Sequence, residues 1–203
     1  MALTKLNFGG KQQALVAANI PTVTGTQMPA GSIIKSETKI ISAFGNTSVA
    51  STSSYNDITG TEVSFSRTFA DSKILGLWNL KISSGNNIYL RLNRKIGSGS
   101  YAVVNLGATG TQGGRTSAKQ MWGSIYNTTS VNAMGYGIHA QQYTFLDESG
   151  EGLTDTTDAI SYKITMSGSA TSNYLSLNID GYNSATNYNK TVESSVTFME
   201  IKA

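Results

Sequence analysis

Cysteine is absent from the 203-residue chain, so disulfides and thiolate metal sites are excluded. Stability has to come from packing, hydrogen bonds and subunit contacts. Charged residues are scarce at 13%, about half the roughly 25% usual in soluble domains. There are two prolines and a single histidine. No segment approaches the ~20 apolar residues of a membrane span. The longest apolar stretch near the N-terminus, Ala14 to Ala18, follows Gln12 and Gln13 and makes a poor secretory signal. That fits a protein made in the cytoplasm and used without export. A basic run is also missing. Fifteen cations oppose twelve acids, a net charge of +3, and the nearest cluster is Arg91, Arg94 and Lys95, read as strand-end residues. Nucleic-acid binding needs a clustered cationic footprint, so no nucleic-acid partner is expected.

What is present is Ser, Thr, Asn and Gly, with 21 glycines suited to tight turns. Hydrophobic residues reach 39%, enough for a folded core. From Gly31 onward apolar residues recur every second position, the period of a strand with one dry face. Ile88, Leu90 and Leu92 alternate with Tyr89, Arg91 and Asn93. Ile160, Tyr162, Ile164 and Met166 alternate with Ser161, Lys163 and Thr165. Leu175, Leu177 and Ile179 alternate with Ser176, Asn178 and Asp180. Val63, Phe65 and Phe69 follow the same rule, with Arg67 the one misfit. The stretch 73–82, KILGLWNLKI, is nearly apolar throughout and predicts a central strand covered on one side by the core and on the other by another subunit, with the subunit contact expected on apolar faces near Trp78 and the C-terminal strand. Further strands are predicted at 32–43, 120–126, 135–146 and 192–201. Turn-rich breaks separate them, and 83–87 is short enough for a hairpin. Eight to ten short strands without an amphipathic helix predict an all-β sandwich or barrel, with an antiparallel jelly roll favoured. No repeat of 20–50 residues is visible, against a propeller or solenoid.

Residues 1–28 differ from the rest and form a short non-globular N-terminal arm and linker, leaving 29–203 as the folded domain. KQQALVAANIP has room for one or two helical turns stopped by Pro21. The arm holds too little apolar surface for its own core, so Leu6, Phe8, Leu15, Val16 and Ile20 are its candidate anchoring side chains. A frayed terminus is the plainer reading of the same residues.

Sites for chemistry are sparse. His139 lies within a strand pattern, with no nucleophile elbow anywhere in the chain. IGSGSYAVV, 96–104, looks like a kinase glycine-rich loop, but the chain has no HRD or DFG motif to complete it. GATGTQGGRT lacks the Gly-Lys-Ser/Thr ending of a phosphate loop. The acidic segment Asp147, Glu148, Glu151, Asp155 and Asp158 is the best calcium candidate, although its spacing is not that of an EF-hand. Asp57 and Glu62 are candidates for a glycosidase-type carboxylate pair. Asn46, Asn127 and Asn189 stand in Asn-x-Ser/Thr triplets, expected by chance in so Ser- and Thr-rich a chain. Two polar loops, 107–117 and 181–190, remain as binding surfaces. The second carries Tyr182 and Tyr188 among Asn and Ser, rigid aromatics beside adaptable amides.

Five stretches, MALTKLNFGGKQQALVAANIP at 1–21, MPAGSIIKSETKI at 28–40, FSRTFADSKILGLWNLKIS at 65–83, SYKITMSGS at 161–169 and the ending SSVTFMEIKA, taken together resemble virion structural and tail-fibre proteins of marine bacteriophages. The chain departs from that pattern at Phe69-Ala70-Asp71, where a proline-serine turn is common, and it has only a short arm with no long shaft. The resemblance implies a jelly roll of the tumour-necrosis-factor or C1q shape that assembles as a homotrimer on the virion, and it brings no catalytic residues or cofactors. Three roles follow as expectations. The first is host attachment as a fibre or fibre tip, with a host surface glycan or protein as partner. The second is a capsid decoration or knob. The third is a carbohydrate-active depolymerase. In the first two the arm docks on other virion proteins.

Overall fold

Period-two alternation is what builds the molecule. A computed structural model describes residues 6–8, 11–13, 27–43, 45–49, 54–84, 88–104, 123–125, 138–149, 152–168, 174–178 and 192–203. The strands are β1 (Leu6–Phe8), β2 (Lys11–Gln13), β3 (Ile33–Ile41), β4 (Gly45–Ser48), β5 (Asn56–Asp57), β6 (Val63–Phe65), β7 (Lys73–Ser84), β8 (Ile88–Ile96), β9 (Ala102–Val103), β10 (Gly123–Ile125), β11 (His139–Asp147), β12 (Ile160–Gly168), β13 (Tyr174–Leu177) and β14 (Ser194–Ile201). All pairings are antiparallel.

Several short strands are halves of one longer strand. β13 pairs with Ile82 to Ser84 of β7, and β14 continues down the same side of β7 from Asn79 to Lys73. β3 and β4 run beside them in the same sequence. β5 and β6 share one edge of β12, and β9 and β10 share one edge of β8. Among the described residues, merging the halves leaves eight strands in two sheets, numbered in chain order: β3/β4 is one, β5/β6 two, β7 three, β8 four, β9/β10 five, β11 six, β12 seven and β13/β14 eight. Their orders are one–eight–three–six and two–seven–four–five. That is the connectivity of a double-sheet jelly roll, as the alternation and turn spacing predicted.

The facing sides of the two sheets enclose one core. Phe198 lies at its centre, 5.3 Å from Phe65, 5.4 Å from Tyr162 and 6.4 Å from Trp78 between ring centroids. Gly76 faces Phe145 across the β7–β11 pair. A Cβ there would sit 2.0 Å from the ring, so only glycine lets Phe145 lie flat on the sheet and reach Tyr162, 5.1 Å away.

Three local expectations need correcting. The arm segment expected to turn helically begins as β2, hairpinned with β1 in a separate two-stranded sheet; Leu15, Val16 and Ile20 lie outside the described residues. The strand expected to run through Ile179 stops at Leu177, because Asn178 adopts the left-handed conformation with φ 59°. Trp78 points wholly inward at 1% exposure, so it belongs to the core and not to a second face; the outward residue beside it, Leu77, is 37% exposed.

Candidate functional site

One end of the sandwich is held by a buried polar cluster. Arg67, the misfit of its strand pattern, is turned inward and donates to the carbonyls of Ser72 (2.6 Å), Thr154 (2.5 Å) and Thr156 (2.6 Å). Arg94, next in line after Leu90 and Leu92 on the inner face of β8, donates to Asp147 and to the Gly152 carbonyl at 2.6 Å. The Tyr162 hydroxyl donates to the other oxygen of Asp147 at 2.7 Å. Burial pushes the Asp147 carboxyl above its ordinary range, opposed by Arg94 and by the Tyr162 hydroxyl. Burial, then the neighbouring carboxylate, raises Tyr162 far above a usual phenol, which keeps it a donor. Isolated arginines on strand faces look like surface residues in a sequence. The only available signal was that Arg67 and Arg94 occupy inward positions of their alternations.

Glu200 is the second buried carboxylate. It accepts from the Thr68 and Phe69 amides (2.7 and 2.8 Å) and from the Ser72 hydroxyl at 2.7 Å. Burial alone would raise it, but the hydrogen bonds outweigh burial and hold it below the ordinary glutamate value of 4.5. A carboxyl depressed by folding contributes stability that is present above its unfolded pKa and lost as pH falls through the folded one. The acid limb of the stability curve, measured by urea unfolding below about pH 4.5, the unfolded glutamate value, is therefore expected to flatten in Glu200→Gln.

The acidic segment proposed for calcium is organised by these arginines. Asp147 is fully buried and committed to Arg94, Glu148 pairs with Lys73 at 2.6 Å, and Asp155 and Asp158 are exposed. Glu151 lies outside the described residues. The loop's carbonyls are gathered by guanidinium groups, which fill the place a cation would take. Among the described residues no three acids or histidines stand together as metal ligands.

Asn178 forms a second polar node. Its side-chain amide donates to the carbonyls of Ile41 (2.6 Å) and Ala43 (2.7 Å) and accepts from the Ser194 hydroxyl at 2.6 Å. Its own amide bonds Lys81, and its carbonyl accepts from Val192 at 3.0 Å. The chain thus leaves strand eight at Asn178 and rejoins it at Val192. Tyr182 and Tyr188 belong to that 179–191 excursion and lie outside the described residues. A similar excursion divides β9 from β10 and contains the 107–117 loop, also undescribed.

The outer faces of the two sheets differ sharply in charge. On the β10–β8–β12–β5 sheet, Arg91 lies 3.5 Å over the Tyr55 ring, and Lys163 and Lys95 flank Tyr101 at 4.0 and 4.9 Å. Lys163 pairs with Asp57 and Lys95 with Glu62. The two acids proposed as a glycosidase pair are thus each engaged by a lysine. Asn93 bonds Thr165, and Ser64 bonds Ser161, both at 2.8 Å. The Arg91–Arg94–Lys95 cluster is split, Arg94 inward and the others outward. The outer face of the β3–β14–β7–β11 sheet carries no charge through three cross-strand rows. They read Ile40–Ser195–Asn79–Gln142, Thr38–Thr197–Leu77–Thr144 and Ser36–Met199–Leu75–Leu146.

Leu6 and Phe8 lie on β1, but their side chains, like that of His139 on β11, are outside the description. Among the described residues no helix is long and apolar enough to cross a membrane.

No family model matches the sequence, and no curated protein sequence matches it. Solved structures that overlap it include the VP2 subviral particle of infectious bursal disease virus, at 12% identity and a TM-score of 0.37, over 85% of this chain and 39% of that one. The Gx strain of the same virus gives 12% identity and a TM-score of 0.39, over 84% and 43%. Particles of T=1 symmetry derived from the virus give 11% identity and 0.39, over 85% and 37%. The chain spans about two fifths of the length of the viral chains it overlaps.

Proposed function

We propose that this chain is a virion-surface structural protein of a bacteriophage, a homotrimeric fibre or fibre tip that works in host attachment by binding and not by catalysis. The observation that carries the reading is the polarity of the sandwich. The arm joins the domain where Gly31 donates to Lys202 at 2.8 Å and Lys202 donates to Ser32 at 2.9 Å, beside the Lys73 end of β7. The 179–191 excursion is rooted opposite Lys81, eight residues further along β7, or about 27 Å at the rise of an antiparallel strand. The 105–122 excursion is flanked by Val104, bonded to Leu92 midway along β8, and by Gly123, paired with Leu90. An arm that joins at one end of β7 and an excursion whose flanks are bonded near the other suit a protein that stands on a particle and reaches outward. The arm, with Leu6, Phe8, Leu15, Val16 and Ile20, docks on other virion proteins. Tyr182 and Tyr188 are the candidate contacts to a host glycan or protein. The sequence resemblance supports the phage setting and the trimer.

Imaging intact particles by cryo-electron microscopy tests this. Density at the tail, lost when residues 1–28 are deleted, is the expected result. Density over the shell would make the protein a capsid decoration, and absence from the particle would sink both readings.

A further inference from the structure

The two outer faces cannot serve the same purpose. The β10–β8–β12–β5 face has already matched its charges: each lysine has an acid and an aromatic ring within reach. It is a finished solvent face. The opposite face has nothing comparable. Ile40 is 57% exposed, Leu146 40% and Leu77 37%, while Leu75, Met199 and Ile201 are half-buried beside them. Thr38 and Thr197 satisfy each other's hydroxyls at 2.9 Å, so the middle of the face asks little of water. Charge returns only at its borders, as the Lys73–Glu148 pair at one end and Lys81 at the other. The three charges of β3, Lys35, Glu37 and Lys39, alternate with the outward Ser36, Thr38 and Ile40 and pair with one another, so the outer rows of this sheet stay neutral while those of the other sheet carry charge.

We infer that the outer face of the β3–β14–β7–β11 sheet is the surface through which copies of this chain associate. The inference rests on the oligomeric reading above and assigns its contact. A second copy fits better than a foreign partner because the face is neutral and regular: around a three-fold axis one part of it meets a different part of the next copy's, apolar side chains meet apolar ones, and no buried charge is left unpaired. Size agrees. Four strands about 4.8 Å apart, by three rows about 6.8 Å apart, give a flat footprint of roughly 400 Å². That is at the scale of patches that mark interaction sites and about half of the ~800 Å² a partner contributes to a standard interface. The exposed side of β7 thereby gains the cover that its apolar sequence predicted, through Leu75 and Leu77 and not Trp78.

The test is mass by light scattering on the full chain at micromolar concentration, with thermal melting to confirm folding. The wild type is expected to be a trimer whose mass is unchanged by raising salt to about 1 M, where the Debye length falls to ~3 Å, because the contact is uncharged. Leu75→Glu/Leu77→Glu is expected to melt as a folded monomer. Lys163→Glu on the other face is expected to stay trimeric. A wild type that is trimeric while Leu75→Glu/Leu77→Glu also stays trimeric, or that dissociates in salt, overturns this assignment alone. A monomeric wild type overturns the oligomeric reading beneath it.

Discussion

Asp147→Ala is expected to destabilise the fold by about 3–5 kcal/mol, the cost of leaving a buried partner charge uncompensated. Total stability of a domain is roughly 5–15 kcal/mol, so this single change removes a large share. The reason is geometric. Asp147 ends β11 in one sheet and binds Arg94 and Tyr162 of the other. Deleting it strands the guanidinium and the phenol inside the sandwich. Arg94→Met should be less damaging, because the carboxyl can keep a proton where a guanidinium cannot lose one. The direction with pH then follows. In Arg94→Met the largest opposition to burial is removed from Asp147, leaving only the Tyr162 hydroxyl and Arg67 against it, so the folded state holds a proton that the unfolded chain releases above the ordinary carboxyl range. Stability of that variant should fall as pH rises, opposite to the loss the wild type suffers in acid through Glu200. Urea unfolding of both single variants and of Asp147→Ala/Arg94→Met, from acid to neutral pH, checks this. A double variant costing the full sum of the singles would mean that the pair is not coupled.

Asn178→Ala is expected to cost on the order of 3 kcal/mol or more, from two separable sources. The first is polar: the Ile41 and Ala43 carbonyls and the Ser194 hydroxyl lose their partner inside the protein, at roughly 1–3 kcal/mol for each buried orphan. The second is conformational, since alanine is forced to φ 59°, a region that costs it about 1–2 kcal/mol. Asn178→Gly recovers the second part and leaves the first. Thermal melts of the two variants separate the terms, and equal melting temperatures would remove the conformational part from the account. Because Asn178 also bonds Val192, both variants should speed hydrogen exchange at that amide. If the excursion carries host binding, attachment should weaken under conditions where the sandwich remains folded.

Strand existence was legible in the sequence because burial on one side forces period two. Composition made an all-β chain of many turns the natural solution, and eight merged strands then close as a jelly roll. The broken strands were harder to read. β4, β5 and β9 are too short to show a period, and an excursion such as 179–191 hides that its two flanks form one strand. The polar nodes were illegible for a related reason. Arg67 registered only as a misfit, and Asp147 was grouped with its acidic neighbours because proximity in sequence suggested a shared cation. In space Asp147 faces inward, Glu148 faces Lys73, and two arginines distant in sequence supply the positive charge.

By itself, then, the sequence determined the strands, the dry faces and the scarcity of charge, since these depend on local alternation and composition. Only the tertiary structure decided which apolar side of 73–82 is core and which is surface, because period two defines two faces without saying which sheet will cover them. It also decided that the outer face of one sheet carries charge while three rows of the other's carry none. That arrangement depends on pairings between residues far apart in the chain, 159 positions for Thr38 and Thr197, which no local pattern records.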